Sequence, residues 1–387
     1  MEEKINVEVP EQPSVEPVKG RIVSVDVLRG FDMFWIVGGS AFFAAFFNLA
    51  GGKLGEIIVP QFEHAKWEGF HFYDLIFPLF AFIVGMSVVF SLGKLVKREG
   101  KKAAYKRIFR RFIILYLLGI IYYGGINHGV QNIRLLGVLQ RLAFVYLFAG
   151  IIFVNLRLRG MIITAVGILL AYWAFLSFVP VPGVGHPSFE MGANWPNWFD
   201  AHYLPLRKWR GTWDPEGILS TIPAIVSGLL GVFTSILLLN KNIPDMKKVW
   251  YFIGGGAVLV ALGYLWGLQF PVIKRLWTSS YVLVAGGYSA MLMGIFYYIV
   301  DVKKWQKWAL PFIWIGMNPI TLYMTVNIVD RWAFANRFVG LKSAHVSFNP
   351  DLPLNERFGI FMLASFFLFF VFTIVRFMFK RKIFIRI

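Results

Sequence analysis

About ten stretches of mostly apolar residues, each near the length that crosses a bilayer, divide this chain and leave it little choice but lipid. A hydrocarbon core about 30 Å thick needs roughly 20 residues at a helical rise of about 1.5 Å. The stretches fall at about 30–50, 70–92, 111–126, 137–156, 160–180, 216–239, 249–268, 279–300, 309–329 and 358–379, the third being the shortest. With 57% hydrophobic and 16% charged residues, the chain has too little polar surface to cover a soluble globule of its size. The expected fold is all-α, a polytopic transmembrane helix bundle of about ten spans.

Lys and Arg orient it. Of the 39, the N-terminal segment to Arg29 and the connections 94–111, 157–159, 241–248, 303–307 and 376–386 hold 26, and the alternate connections hold 13. The positive-inside rule makes the first set cytoplasmic, with both termini inside. A net charge of +18 would suggest nucleic acid in a soluble protein, but basic connections facing an anionic leaflet account for it here, so no nucleic-acid partner is expected. Residues 1–20 are polar, include five Glu and lack a signal-peptide apolar run, and are expected to form a disordered cytoplasmic tail. All six histidines then face the outer side (His64, His71, His128, His186, His202 and His345), together with 11 of the 21 acidic residues. The long outer segment 181–215 is rich in Pro, Gly, Trp and Asn and reads as a lid or substrate wall.

Ionisable side chains within spans are costly and point to function, with a structural ion pair as the alternative. Asp74 and Arg141 lie at similar depth in the second and fourth spans, where they either pair or form part of a site wall. Arg29, near Asp26 and Asp32 at the inner end of the first span, either snorkels to headgroups or, fixed by Asp26, binds phosphate. His64, flanked by Glu63, Lys66, Trp67 and Glu68 at the rim of the second span, is a candidate base or nucleophile. Asp214-Pro215-Glu216 has the chemistry of a helix start, with Asp214 as N-cap. Asn318-Pro319 breaks the ninth span, which is tolerated beside a polar cavity. Cysteine is absent, as are a His-Glu-x-x-His motif, a Walker loop and a Gly-x-Ser-x-Gly elbow, so no metal site is expected.

Seven islands in collinear order resemble the transmembrane acetyltransferase family of heparan-α-glucosaminide N-acetyltransferase and its bacterial homologues. They are Ser24–Gly30, His64–Gly69, Asp74–Phe80, Gly137–Leu142, Asp214–Leu219, Leu276–Val282 and Gly316–Asn318, covering the chain from about residue 20 to 330. The resemblance implies acetyl transfer from cytoplasmic acetyl-CoA to an amino-sugar or glycan acceptor across the membrane, within one acyltransferase domain over 21–387. The family's essential histidine falls on His64, acting either through an acetyl-histidine intermediate or by direct transfer. Asp74 and Glu68 are candidates to orient it, and Asn318 to donate to the thioester oxygen. An ungapped alignment places Ser40 where the lysosomal enzyme has an Asn implicated in catalysis. That enzyme also has an N-terminal luminal region and span without a counterpart here. Arg29, Asp26, Arg141 and Trp277 are the candidate acetyl-CoA contacts, and the implied location is a bacterial inner membrane, with a homodimer allowed. An amino-sugar transporter of the N-acetylglucosamine type is the alternative, although one broken helix and no clear internal repeat fit it poorly.

Overall fold

The computed structural model describes residues 22–127, 129–328 and 352–384. The expected tail, His128, His345, Arg331, Arg337 and Lys342 lie outside the described residues. Among those described there is no strand, and eight helices are long and apolar enough to cross a membrane. The chain is an all-α polytopic membrane protein.

One of the eight, Phe72–Tyr122, is 51 residues long. At about 1.5 Å per residue it would be more than twice the thickness of the hydrocarbon core if straight. It turns back at Gly100, where φ is 80° and ψ is −179°, a conformation open to glycine. Arg107 donates to the Ser91 carbonyl at 3.2 Å and Arg111 to Ser87 Oγ at 3.4 Å, which pairs the two arms antiparallel. The basic stretch 94–111 is therefore a helical hairpin tip, not a loop, and the third span runs over 101–122 rather than 111–126. Lys and Arg are good helix formers whose stems lie along apolar surface, so charge alone does not end a helix there.

In chain order the helices are α1 (Val23–Ala50), α2 (76–99), α3 (101–122), α4 (Val138–Asn155), α5 (Leu158–Phe178), the short outer α6 (Trp195–Tyr203), α7 (Ile218–Leu239), α8 (Asp245–Gly267), α9 (Ser279–Val302), the broken pair α10 (Leu310–Gly316) and α11 (Pro319–Ile328), and α12 (Leu354–Lys380). Counting α2 and α3 separately and α10–α11 as one interrupted crossing gives about ten spans.

The α2 arm packs at the centre, whereas α3 exposes Phe109, Ile113, Leu117 and Ile121, and α5 and α8 bury only 28% and 22% of their apolar windows, so these three carry outward surface. Glycines set the closest approaches. A Cβ on Gly85 of α2 would sit 1.8 Å from the Gly228 carbonyl oxygen of α7, and one on Gly30 of α1 would sit 1.7 Å from that of Phe312 in α10. Without a hydrophobic drive between helices in lipid, such backbone contacts provide the packing.

At the end assigned to the outside, the connections 51–75, 123–137, 179–217 and 268–278 converge. The start of α7 differs from the sequence expectation. Gly217 is its N-cap, and the free amide of Ile218 donates at 3.0 Å to Asp200, a buried carboxylate on α6. Asp214 is not the cap because it is held by Arg134 through bonds of 2.6 and 2.8 Å. Burial pushes the Asp200 carboxyl up to about 6, against the pull of its backbone donors.

Candidate active site

The loop 63–71 and the short 3-10 helix Phe72–Leu75 deliver two side chains to the head of α2. Asp74 is fully buried. Its Oδ2 accepts the backbone N–H groups of Ala65 and His71, each at 3.1 Å, so one carboxylate oxygen folds the loop that carries His64. Its Oδ1 faces His64 Nδ1 at 2.9 Å and Lys274 Nζ at 3.3 Å. Tyr281, on α9, donates to the Asp74 carbonyl at 2.7 Å and ties this loop to the helix beyond Lys274.

The His64 ring stacks on Tyr73 with centroids 4.8 Å apart, and its side chain is 49% exposed. Lys274 Nζ lies 3.0 Å from Nδ1 and 3.4 Å from Nε2. A carboxylate only accepts and an ammonium only donates, so the two cannot share one Nδ1 state. With the proton on Nδ1 and donated to Asp74, the Nε2 lone pair faces Lys274 Nζ at 3.4 Å, a long contact that an acceptor amine displaces before Nε2 acts as a base. Burial holds the His64 imidazole below its ordinary pKa, Lys274 adds to that, and Asp74 opposes it. Burial likewise lowers the Lys274 ammonium, with Asp74 opposing. Lys274→Met removes a charge that disfavours imidazolium, so the His64 pKa should rise. If neutral His64 is the working form, the acid limb of a pH–rate profile moves to higher pH. An unmoved limb, or one displaced to lower pH, would show that Lys274 does not set this titration.

His64, Asp74, Arg141, Lys274 and Trp277 line a common cavity of about 1260 Å³, beyond the roughly 300–1,000 Å³ usual for small-molecule sites. Phe77, Phe80, Ile36 and Tyr323 supply apolar wall, and Trp67 and Trp209 line it as well. Six cations line it, Arg134, Arg141, Arg207, Arg210, Lys274 and Arg275, against the carboxylates of Asp74 and Glu216. Arg134 is held by Asp214 and Glu216 and lies over the Tyr123 ring at 4.3 Å and the Trp209 ring at 4.9 Å. Burial works to lower its pKa, but the Asp214 and Glu216 carboxylates outweigh that and raise it.

Asp74 and Arg141 do not pair. Asp74 is already occupied by two backbone amides, His64 and Lys274, whereas Arg141 Nη2 donates to the Pro215 carbonyl at 3.1 Å and to Ser220 Oγ. The Arg141 guanidinium lies 4.7 Å from the centre of the Trp277 ring, which is also edge-on to Phe77. Trp277 takes a left-handed backbone conformation, φ 51°, rare for a bulky residue, and its indole donates to Ser227 Oγ at 3.1 Å.

The remaining sequence candidates lie elsewhere. Glu68 is exposed and does not line the cavity. Ser40 donates to the Trp35 carbonyl at 2.9 Å within α1, next to the π-turn Trp35–Gly39, and does not line it either. Arg29 donates to Asp26 at 3.2 Å. Asn318 donates to the Ile383 carbonyl at 2.9 Å, and neighbouring Gly316 packs against the Asp26 carbonyl. These three residues therefore belong to the end where α12 finishes, away from His64. Lys274 is the residue that sequence reasoning missed. Its only signal was a Lys-Arg pair directly before the Leu276–Val282 island.

The chain is similar to heparan-alpha-glucosaminide N-acetyltransferases. It is 29% identical to the Homo sapiens protein over 378 residues, an alignment that takes in 81% of this chain and 53% of that one. Identity to the Mus musculus protein is 27% over 372 residues, with 81% and 54% covered. The likeness read from seven short islands thus extends over most of the chain, and the chain spans about half the length of the curated relatives it matches. No protein-family model matches it.

Proposed function

We propose that this chain is a membrane-embedded acyltransferase that moves an acetyl group from cytoplasmic acetyl-CoA to the amine of an amino sugar or glycan on the opposite, periplasmic side of a bacterial inner membrane. The observation that carries the reading is the buried Asp74 carboxylate oriented on Nδ1 of a half-exposed His64, whose Nε2 faces Lys274 at 3.4 Å on the wall of a large cavity. The names of both relatives support the reaction type.

In this scheme a neutral acceptor amine enters from the outer side and the thioester reaches the cavity, whose helical wall comes from α1, α2, α3, α4 and α11. His64 Nε2 takes the amine proton as nitrogen attacks the acetyl carbonyl carbon, and Asp74 stabilises the imidazolium. Collapse of the adduct breaks the C–S bond, and the thiolate takes the proton from His64, leaving an amide and free CoA. In the covalent variant Nε2 attacks first and expels the CoA thiolate; the amine then attacks the acetyl-imidazolium, the C–N bond to His64 breaks, and the amine proton passes to the thiolate. Arg29, paired with Asp26, is our candidate for meeting CoA phosphates at the cytoplasmic end, since a held guanidinium suits phosphate oxygens. Trp67 and Trp209 at the cavity wall offer flat faces for a sugar ring.

Proteoliposomes separate the enzyme from the transporter. With acetyl-CoA on the side of Arg29 and glucosamine on the side of His64, free thiol and N-acetylglucosamine should appear in equal amounts. Uptake of labelled sugar without acetyl-CoA, and no thioester consumption, would sink the enzyme reading.

A further inference from the structure

Arg141 is 1% exposed, yet among the described residues no carboxylate lies within ion-pair distance of it, although Glu216 and Asp214 act on it from farther off. Asp74 is committed to His64 and Lys274, and Asp214 and Glu216 are committed to Arg134. The side chain is nonetheless firmly held. Nη2 bonds to Ser220 Oγ and to the Pro215 carbonyl, and the plane sits against Trp277. Nε is sealed and without a partner, and no hydrogen bond engages Nη1. The residue lies in the first turn of α4, whose N-terminal end already carries partial positive charge, so the local helix field adds to its need for an anion. A cation kept desolvated and immobile on the wall of a cavity, with its neighbouring carboxylates beyond contact and turned to another guanidinium, is arranged for negative charge that the ligand brings.

Two features place that charge in the reaction rather than on a phosphate at the rim. Arg141 lies 5.8 Å from the centre of the Phe77 ring, three residues along the chain from Asp74, and lines the same cavity as the His64–Asp74 pair. The Phe77 and Trp277 rings flank its guanidinium, and the burial of that group lets it act strongly on a charge that appears only during the reaction.

Resting on the acyltransferase reading, we propose that Arg141 is a catalytic residue that stabilises the oxyanion formed when the acetyl thioester is attacked, with Ser220 and Trp277 positioning it. As the nucleophile's electron pair forms the new bond to the carbonyl carbon, the C=O π pair moves onto oxygen beside Arg141. When the C–S bond breaks, that pair returns to the carbonyl. Direct transfer and the acetyl-histidine route both pass through such an adduct, so the role does not depend on which one operates. It is the role that Asn318, bonded to Ile383, is not placed to fill.

The test uses the full chain in nanodiscs with acetyl-CoA and glucosamine. Arg141→Gln should lower kcat by about 10²–10³-fold, the range for loss of one oxyanion donor, with both KM values within about threefold of wild type. Arg141→Lys, which keeps the charge for folding but not the planar fork, should recover part of kcat. Ser220→Ala should lower kcat less than Arg141→Gln does, again with KM unchanged. Turnover of Arg141→Gln within threefold of wild type, or a loss confined to KM for acetyl-CoA, would overturn the oxyanion role and leave the acyltransferase reading standing. Absence of N-acetylated product from the wild-type protein would sink both. A lowered melting temperature in Arg141→Lys with normal kcat would make the residue structural and also overturn the role.

Discussion

His64→Ala is expected to lower acetyl transfer from acetyl-CoA to glucosamine by about 10²–10⁴-fold, the contribution of a positioned acid–base group, while leaving the fold intact. The imidazole is half-exposed and its ring contact is with Tyr73, so truncation should change stability by only about 0.5 kcal/mol. Asp74→Asn makes the instructive contrast. The carboxylate accepts two backbone amides as well as His64 and Lys274, so an amide nitrogen in its place would set donor against donor inside a buried site. That variant should lose both activity and melting temperature, whereas His64→Ala should lose activity alone. Wild-type turnover in His64→Ala would remove the proposed mechanism. Acid quenching of the wild-type enzyme with labelled acetyl-CoA and no acceptor distinguishes the two routes, because label retained on His64 requires the covalent one.

The spans were legible because bilayer thickness fixes a length, and a length survives in the sequence. The turn at Gly100 was not, because the Lys and Arg around it read as a cytoplasmic loop although these residues favour helix. The capping of α7 was hidden for a related reason. Asp214 is the right residue type at the right spacing, but it meets a buried guanidinium from residue 134, and Asp200 takes the open helix end instead. At the site, Asp74 and Arg141 stood out as charges inside apolar runs, and His64 through the family resemblance. Lys274 carried no such mark, since a lysine in an outer connection looks like rim charge until the fold brings it against a histidine 210 positions away. Glu68 erred in the other direction. It stands near His64 in the same motif, but its side chain is exposed and does not line the cavity, whereas Asp74 reaches the His64 ring.

Gly85→Ala should be among the most damaging single-methyl changes in the bundle. The added Cβ would come 1.8 Å from the Gly228 carbonyl oxygen, and that neighbour is backbone, which cannot rotate away as a side chain can. Relief requires α2 and α7 to separate, and overpacking of this kind costs about 1–3 kcal/mol or more. Gly167→Ala on α5 is the control. Nothing lies within 4 Å of its added methyl, and helix propensity favours Ala over Gly by about 1 kcal/mol, so its melting temperature should hold or rise. The effect of Gly85→Ala should not stop at stability. Asp74 stands at the head of α2, and Ser220, which holds Arg141, stands in the first turn of α7, so the contact between Gly85 and Gly228 sets the spacing between the base and the guanidinium. Turnover should therefore fall even at temperatures where the variant stays folded, because misplacement of a reacting group by about 1 Å can cost 10²-fold. A Gly85→Ala protein that melts and turns over like wild type would show that α2 and α7 do not hold this spacing.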